Sequence, residues 1–529
     1  MRITKIYIEN FKNLQQFTVD LDASKVHTVL LGENAAGKSN LLESLVIIFR
    51  DLDLEKPTDF DYEIEYLCKS NYIKVSSKLG KIQFFKGQKI EDKIFYNKTI
   101  SKTEIRKNRD EYLPKYVFAY YSGVSNRLLE HFDIHQRRFY EELLKGNDKP
   151  QRPLFYARLI HSHFVLMAFY AFGRADINEF LEEYLDIVGL ESVLFVLKKP
   201  NWAKSKSDIL DFWGSGGVVR DFLDDVWDAS LAPITHQESI REDFRRNHKQ
   251  EQLYLYISNQ EKLEAIAKKY GSNANFFKRL ESTYISDLIQ EVRVKVKKRN
   301  VFGDITFKEL SEGEQQLLTV LGLIRFTREE EALILLDEPD THLNPLWKWR
   351  YMNLLEKYSD RDETSQIIMT THDPLVIGGM TKEEIRVFYA TIEKDEAGNE
   401  LKRIRTLQPD FDPKGLGVAG ILTSEFFNLP STLDEDTLEV FKERDLLISK
   451  QDTEEGLNEI EEERLSEIFS ELSNLGINTT HRDPMYQKFI QALSQREEFQ
   501  VTKVSREERM KQNELALSLL NKLFEENAE

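Results

Sequence analysis

Eight residues near the N-terminus constrain this chain more than any other feature. Gly32-Glu33-Asn34-Ala35-Ala36-Gly37-Lys38-Ser39 follows the apolar run 27–31 and precedes a helical pattern from about Ser39 to Phe49. A strand, a GxxxxGK[ST] loop and a helix, in that order, make a cradle for phosphate. Backbone N–H groups wrap the anion at the helix N-terminus, the lysine bridges phosphates, and the hydroxyl ligates Mg2+.

Far downstream a second apolar run, Ala332 to Leu336, ends in Asp337 and Glu338. It suits a central parallel strand with carboxylates at its C-terminal end, where ligands of α/β sheets bind. There Asp337 can hold the Mg2+ water shell and Glu338 can polarise an attacking water. Pro339-Asp340-Thr341-His342-Leu343-Asn344-Pro345 follows directly. Just upstream, Leu310-Ser311-Glu312-Gly313-Glu314-Gln315-Gln316 opens the apolar helix LLTVLGLIRF. Ser311 and Glu314 have the spacing of a capping box. The same helix start offers free N–H groups, a hydroxyl and a glycine as a second phosphate clamp. A fourth piece, Gln366 to Met369, reads as a strand ending in Thr370-Thr371-His372-Asp373. His372 can there hydrogen-bond a γ-phosphate.

In this order the four pieces resemble the ABC-type ATPase heads of SMC and RecF proteins. The resemblance implies an α/β ABC-type head, with a mostly parallel sheet plus an antiparallel β lobe, and ATP and Mg2+ as cofactors. It implies Glu338 and His372 as catalytic residues and Ser39 and Asp337 as metal ligands. The implied nucleotide contacts are Gly32, Asn34, Gly37, Lys38, Ser39, Asn40, Ser311, Gly313 and Asp340. It also implies a homodimer through the heads, with higher homo-oligomers left open. Lys38, Ser39, Asp337, Glu338 and His372 would act within one subunit, and Ser311, Gly313 and Asp340 across the interface. Two departures stand out. The signature reads LSEGEQQ rather than LSGGQ, and no clear Q-loop glutamine follows the strand 115–121, Gln136 being the nearest. Asn10-Phe11-Lys12-Asn13 resembles the RecF-type segment that approaches the nucleotide, although the residues alone read as a turn.

Within this class, the continuation LLTVLG, the stretch DEPDTHLNP, Trp202, Trp213 and Trp227, and GVAGILTSEFFNLPSTLD resemble the ATPase subunits of Septu-type antiphage systems, the PtuA group. That resemblance implies an HNH-type nuclease subunit as partner, gated by ATP.

At 529 residues and 62.2 kDa the chain exceeds what one hydrophobic core usually supports. Its patterns divide it into an N-terminal head lobe over 1–125, a helical insertion over 126–290, a C-terminal head lobe over 291–410 and an acidic helical tail over 411–529. Residues 60–121, rich in Tyr, Ile, Val and Phe, read as antiparallel hairpins. Runs such as ARLIHSHFVLMAFYAF make the insertion helical, and the lack of sustained heptads excludes a coiled-coil arm. The tail holds 13 Lys+Arg against 26 Asp+Glu, so most of the net charge of −18 sits there. The rest is near balance and able to carry basic patches. A single cysteine, Cys68, excludes an internal disulfide and reads as a core residue. With no signal-type h-region and no run of 18 apolar residues, a cytoplasmic chain without a membrane span is expected.

For nucleic acid, strand alternation over 293–299 puts Val292, Val294 and Val296 on one face and Arg293, Lys295 and Lys297 on the other. That face is either a phosphate-contacting strip or a solvated surface, so DNA is a candidate ligand. Lys198, Lys199, Lys204 and Lys206 around Trp202 form a second, weaker cluster. After His372 there is no Asp/Glu set of a TOPRIM unit and no His-Asn-His constellation. His481 is isolated and better read as part of a helix start. An intrinsic nuclease is therefore not expected. Two functions remain: an ATPase switch controlling a partner nuclease in antiphage defence, or a RecF/SMC-like repair ATPase acting on DNA without one. A transporter subunit is disfavoured, because no coupling surface is identifiable.

Overall fold

Strands that read as unbroken apolar runs and strands that alternate end up in different sheets, as burial on two faces or one requires. The computed structural model describes residues 1–474 except 92, 124, 148–152, 174, 242, 300–304, 307–308, 327–330, 360–363, 395–399 and 452–455, together with 511–512, 515–516 and 518. His481 and residues 475–510 lie outside the described residues.

The apolar runs form the centre of a seven-stranded sheet. Its members are β3 (His27–Gly32), β8 (Tyr116–Tyr121), β9 (Leu154–Tyr156), β15 (Ala332–Asp337), β16 (Gln366–Thr370), β17 (Ile385–Lys394) and β18 (Glu400–Leu407). The order is β18-β17-β3-β16-β15-β8-β9, parallel throughout except for β18 at the edge. Every residue of β15 and β16 is buried. Register places Asp337 opposite both Thr370 and Tyr121, and Thr370 opposite Leu30, so four strands end at one level.

The alternating strands make an antiparallel lobe of order β2-β1-β4-β5-β6-β7. These are β1 (Arg2–Phe11), β2 (Leu14–Asp20), β4 (Tyr62–Cys68), β5 (Asn71–Lys78), β6 (Lys81–Ile90) and β7 (Lys93–Ile100). On β4, Tyr62, Ile64, Tyr66 and Cys68 point inward at every second position. The Cys68 thiol is buried as expected, and burial pushes its pKa up to about 12. Helix Lys38–Asp53 shares one core with this lobe and with the central sheet, through Leu41, Leu45 and Ile48.

The segment 126–290, expected to be helical, is mixed. It supplies β10 (Ile187–Lys198), β11 (Ile234–Arg241) and β12 (Asn247–Ile257), which join β13 (Ile289–Lys298) and β14 (Ile305–Thr306) in the order β11-β12-β10-β13-β14. Helices Ile160–Phe172, Gly217–Ala229, Gln260–Lys268 and Asn273–Ile285 share a core with that sheet. The strands escape a periodicity reading because the stretch VLFVL of β10 is a short apolar run, which fits a strand or a buried helix equally. The expected boundary at 290 also falls inside β13, which pairs with β10 and belongs with the insertion's sheet. On β13, Val292, Val294 and Val296 are fully buried, and Arg293 and Lys297 are exposed on the other face.

The chain separates into two compact units, Met1–Pro430 and Ser431–Glu529. The expected tail boundary at 411 therefore moves, because Ile421 and Phe426 are buried in the core of the first unit. In the second unit, helices Glu435–Gln451 and Glu459–Asn474 are linked by Arg464–Glu443 at 2.7 Å and Lys450–Glu461 at 2.6 Å. No helix among the described residues is long and apolar enough to cross a membrane.

Candidate nucleotide site

The loop after β3 turns sharply into helix Lys38–Asp53. Gly37, its N-cap, has φ 89°, a conformation that side chains resist, and it contributes no side-chain cap. The first turn carries no acidic residue either. The helix therefore presents uncapped N–H groups and a positive dipole end, which suits an anion. Lys38 is buried and folds back on the loop, donating to the carbonyls of Gly32 at 2.7 Å and Glu33 at 2.9 Å. Burial lowers its pKa to about 8. Asn13 braces the loop from outside, donating to the Ala35 carbonyl at 2.8 Å. Asn40 turns its amide to Asn13 at 2.7 Å, and Asn34 is exposed at the tip.

Asp337 is the hub of the site. Fully buried at the end of β15, its Oδ1 accepts from the Ser39 hydroxyl at 2.9 Å and the Thr370 hydroxyl at 2.7 Å. Its Oδ2 accepts from Arg127 at 2.9 Å. Thr370 in turn accepts from the Glu338 backbone N–H at 2.9 Å. A hydroxyl and a carboxylate that meet beside a helix N-terminus are hard oxygen donors, a set that fits Mg2+. Arg127 supplies the counter-charge to Asp337 here.

Glu338 has φ 52°, uncommon for a residue with a side chain, and such strain concentrates at functional sites. Its Oε1 lies 3.1 Å from His372 Nε2. That hydrogen bond holds the Glu338 carboxyl below the usual range. Both side chains are about one-third exposed, so the ionised carboxylate faces solvent in the crevice beyond the strand ends.

The signature segment is placed differently. Glu314 Oε2 accepts from the Ser311 backbone N–H at 2.7 Å and its hydroxyl at 2.9 Å, and the Glu314 N–H reaches Ser311 Oγ at 3.3 Å. The capping box is thus formed, at an exposed serine. Gly313 is buried, and a Cβ there would lie 2.4 Å from the His342 carbonyl oxygen. Its lack of a side chain answers to that contact within the chain. Among the described residues, no hydrogen bond joins the signature to the phosphate loop.

Asp340, expected at a subunit interface, is 4% exposed. Its Oδ2 accepts from Thr371 Oγ1 at 2.8 Å, its Oδ1 is buried without a partner, and burial raises its pKa to about 6. Gln136 is half-buried on helix Asp133–Leu144. The contacts from this part of the chain to Asp337 come instead from Arg127 and from the Ser122 N–H, which reaches the Asp337 carbonyl at 3.3 Å. Sequence reasoning missed Arg127, since an isolated arginine in a loop carries no local signal.

Two family models match the chain: "AAA ATPase domain" over residues 1–153 and "AAA domain, putative AbiEii toxin, Type IV TA system" over residues 201–378. Septu protein PtuA of Bacillus mycoides is 28% identical over 231 residues, 41% of this chain. The Retron Ec83 probable ATPase of Escherichia coli is 23% identical over 426 residues, 73% of this chain and 71% of that protein. The chain spans 30% of the length of PtuA in that match, and 29% of the Retron Vc95 probable ATPase of Vibrio cholerae, to which it is 26% identical over 161 residues. Among solved structures, the SMC head domain from Thermotoga maritima aligns over 78% of this chain and 100% of that chain, at 12% identity and a TM-score of 0.31. By its two family matches, this chain carries AAA-family P-loop ATPase domains and is related to the PtuA and retron ATPases.

Proposed function

We propose that this chain is an ATP-driven switch. It binds and hydrolyses ATP in the crevice beyond β3, β15 and β16, dimerises through its heads when ATP is bound, and so controls a partner nuclease in antiphage defence. The observation that carries the ATPase reading is the convergence on one sheet edge of Ser39, Asp337 and the Glu338–His372 pair, beside an uncapped helix N-terminus.

Bound Mg2+ would neutralise charge on the β- and γ-phosphates. Ser39 and Asp337 are the residues that would hold it. Lys38 exchanges the Gly32 and Glu33 carbonyls for phosphate oxygens. Glu338, kept ionised, orients the attacking water, and His372 holds Glu338 in place and reads the γ-phosphate. Ser311, exposed at its helix start, completes the site of a second copy. Asp340 serves within its own chain, fixing Thr371.

The nuclease part rests on the resemblance to Septu-type ATPases and on the similarity to PtuA. The deciding experiment is to recover the tagged chain from its host with and without ATP. A stoichiometric nuclease supports the switch. A lone ATPase that retains DNA moves the assignment to a repair ATPase, for which the exposed Arg293 and Lys297 on β13 are the supporting feature.

A further inference from the structure

A cluster at the opposite end of β3 has no part in nucleotide chemistry. His27 opens β3, Glu356 lies in the last turns of helix Pro345–Ser359, and Glu384 ends the short turn Lys382–Glu384 before β17. One ring nitrogen of His27 and one carboxylate oxygen from each glutamate all lie within 4.8 Å of one another. His27 is 4% exposed, and its Nε2 is buried with no hydrogen-bond partner among the described residues. Buried polar atoms left without a partner are few in folded proteins, and a bound ion is one of their recognised causes.

Glu384 is held in place by a capping box with Thr381. Glu384 Oε2 accepts from the Thr381 N–H at 2.9 Å and the Thr381 hydroxyl at 3.0 Å, and Lys25 Nζ donates to that hydroxyl at 3.1 Å. Outer contacts of this kind fix the orientation of a liganding carboxylate. Arg2 is the cationic group whose charge is felt at His27.

We propose that His27, Glu356 and Glu384 form a site for one Zn2+-class divalent cation that ties β3, helix Pro345–Ser359 and the turn before β17 together. One imidazole and two carboxylates are a nitrogen and oxygen set that suits zinc, whereas Mg2+ avoids imidazole. Tetrahedral zinc with bonds near 2.1 Å sets its ligands about 3.4 Å apart. Closing from spacings of up to 4.8 Å takes a shift of up to about 1.4 Å, which the exposed Glu356 side chain can make on its helix. The tie joins the strand that leads into the phosphate loop to the helix that follows the Asp340 segment.

The test strips the full-length, nucleotide-free chain with EDTA, dialyses it against Zn2+ or Mg2+, and counts retained metal by mass spectrometry. One Zn2+ per chain is expected in the wild type and in Asp337→Asn, with no Mg2+ retained. Affinity for Zn2+ should fall at least tenfold in Glu356→Gln, a surface change that leaves the core intact, and in His27→Gln. Zn2+ should raise the Tm of the wild type and not that of Glu356→Gln. No retained Zn2+, retention unchanged in Glu356→Gln, or retention lost in Asp337→Asn overturns the site.

Discussion

The hydroxyl of Ser39 and the carboxylate of Asp337, 298 positions apart in the chain, stand 2.9 Å from each other at the end of the central sheet. One residue comes from the helix after β3 and the other from β15, and β16 lies between the two strands. The two residues proposed to hold a divalent ion are thus brought together by strand register.

Asp337→Asn removes the negative charge of that pair and strands the Arg127 guanidinium. Nucleotide affinity in EDTA should be unchanged, while the gain in affinity on adding Mg2+ falls by about tenfold or more, roughly the loss of one charged contact. Fluorescent ATP titrations with and without Mg2+ read this directly. An undiminished Mg2+ effect would place the metal ligand elsewhere.

Glu338→Gln keeps the hydrogen-bonding shape and removes the base. Hydrolysis should drop by about 10²- to 10⁴-fold, the range for a general base, with ATP binding retained. Single-turnover phosphate release is the measurement. A variant turning over at the wild-type rate would mean that another group positions the water.

Lys38 has a pKa of about 8 while it rests on the loop carbonyls, and triphosphate charge would raise it. ATP binding at pH 8 should therefore take up about half a proton, and almost none at pH 6.5. Calorimetry in two buffers of different ionisation enthalpy measures the uptake. An uptake that does not change between these pH values would show that Lys38 stays charged without ligand.

Burial raises the Asp340 carboxyl to about 6 in the fold, from an ordinary value of 3.8. A raised carboxyl favours folding fully below pH 4, and that advantage is lost as pH rises through 6. Asp340→Asn should thus be close to neutral at pH 4 and more stable than the wild type at pH 8, by up to about 3 kcal/mol. Denaturant titrations at both pH values check the sign. A less stable variant at pH 8 would show that the ionised form is needed structurally.

Gly313→Ala brings a Cβ to within 2.4 Å of the His342 carbonyl oxygen. Overpacking of this kind costs about 1–3 kcal/mol, so the variant should unfold at lower denaturant. Equal stability would return the glycine to a role in approaching ligand.

The parts of the site that sequence exposes are those carried by local pattern. β3, the glycine loop and helix Lys38–Asp53 are contiguous, and the apolar runs of β15 and β16 each announce a strand with a polar tip. Arg127 was not legible because its partner is 210 positions away and only strand register brings them together. The burial of Asp340 was hidden for a similar reason. A charged residue in the polar stretch after a strand reads as surface until Thr371, just past the end of another strand, is seen to bond it. In the insertion, β10 was lost to the ambiguity of short apolar runs, whereas β13 was legible from strict alternation.

Glu314 has two oxygens and two obligations. Oε2 fastens Ser311, and Oε1 accepts from Lys298 at 2.7 Å, at the end of β13. A single carboxylate therefore couples the signature serine to the insertion's sheet. A force that draws Ser311 toward a second copy must break its bonds to Glu314, break the Lys298 contact or haul β13 along with it. The insertion is in this sense geared to the signature, and a load placed on its sheet would be felt at Ser311.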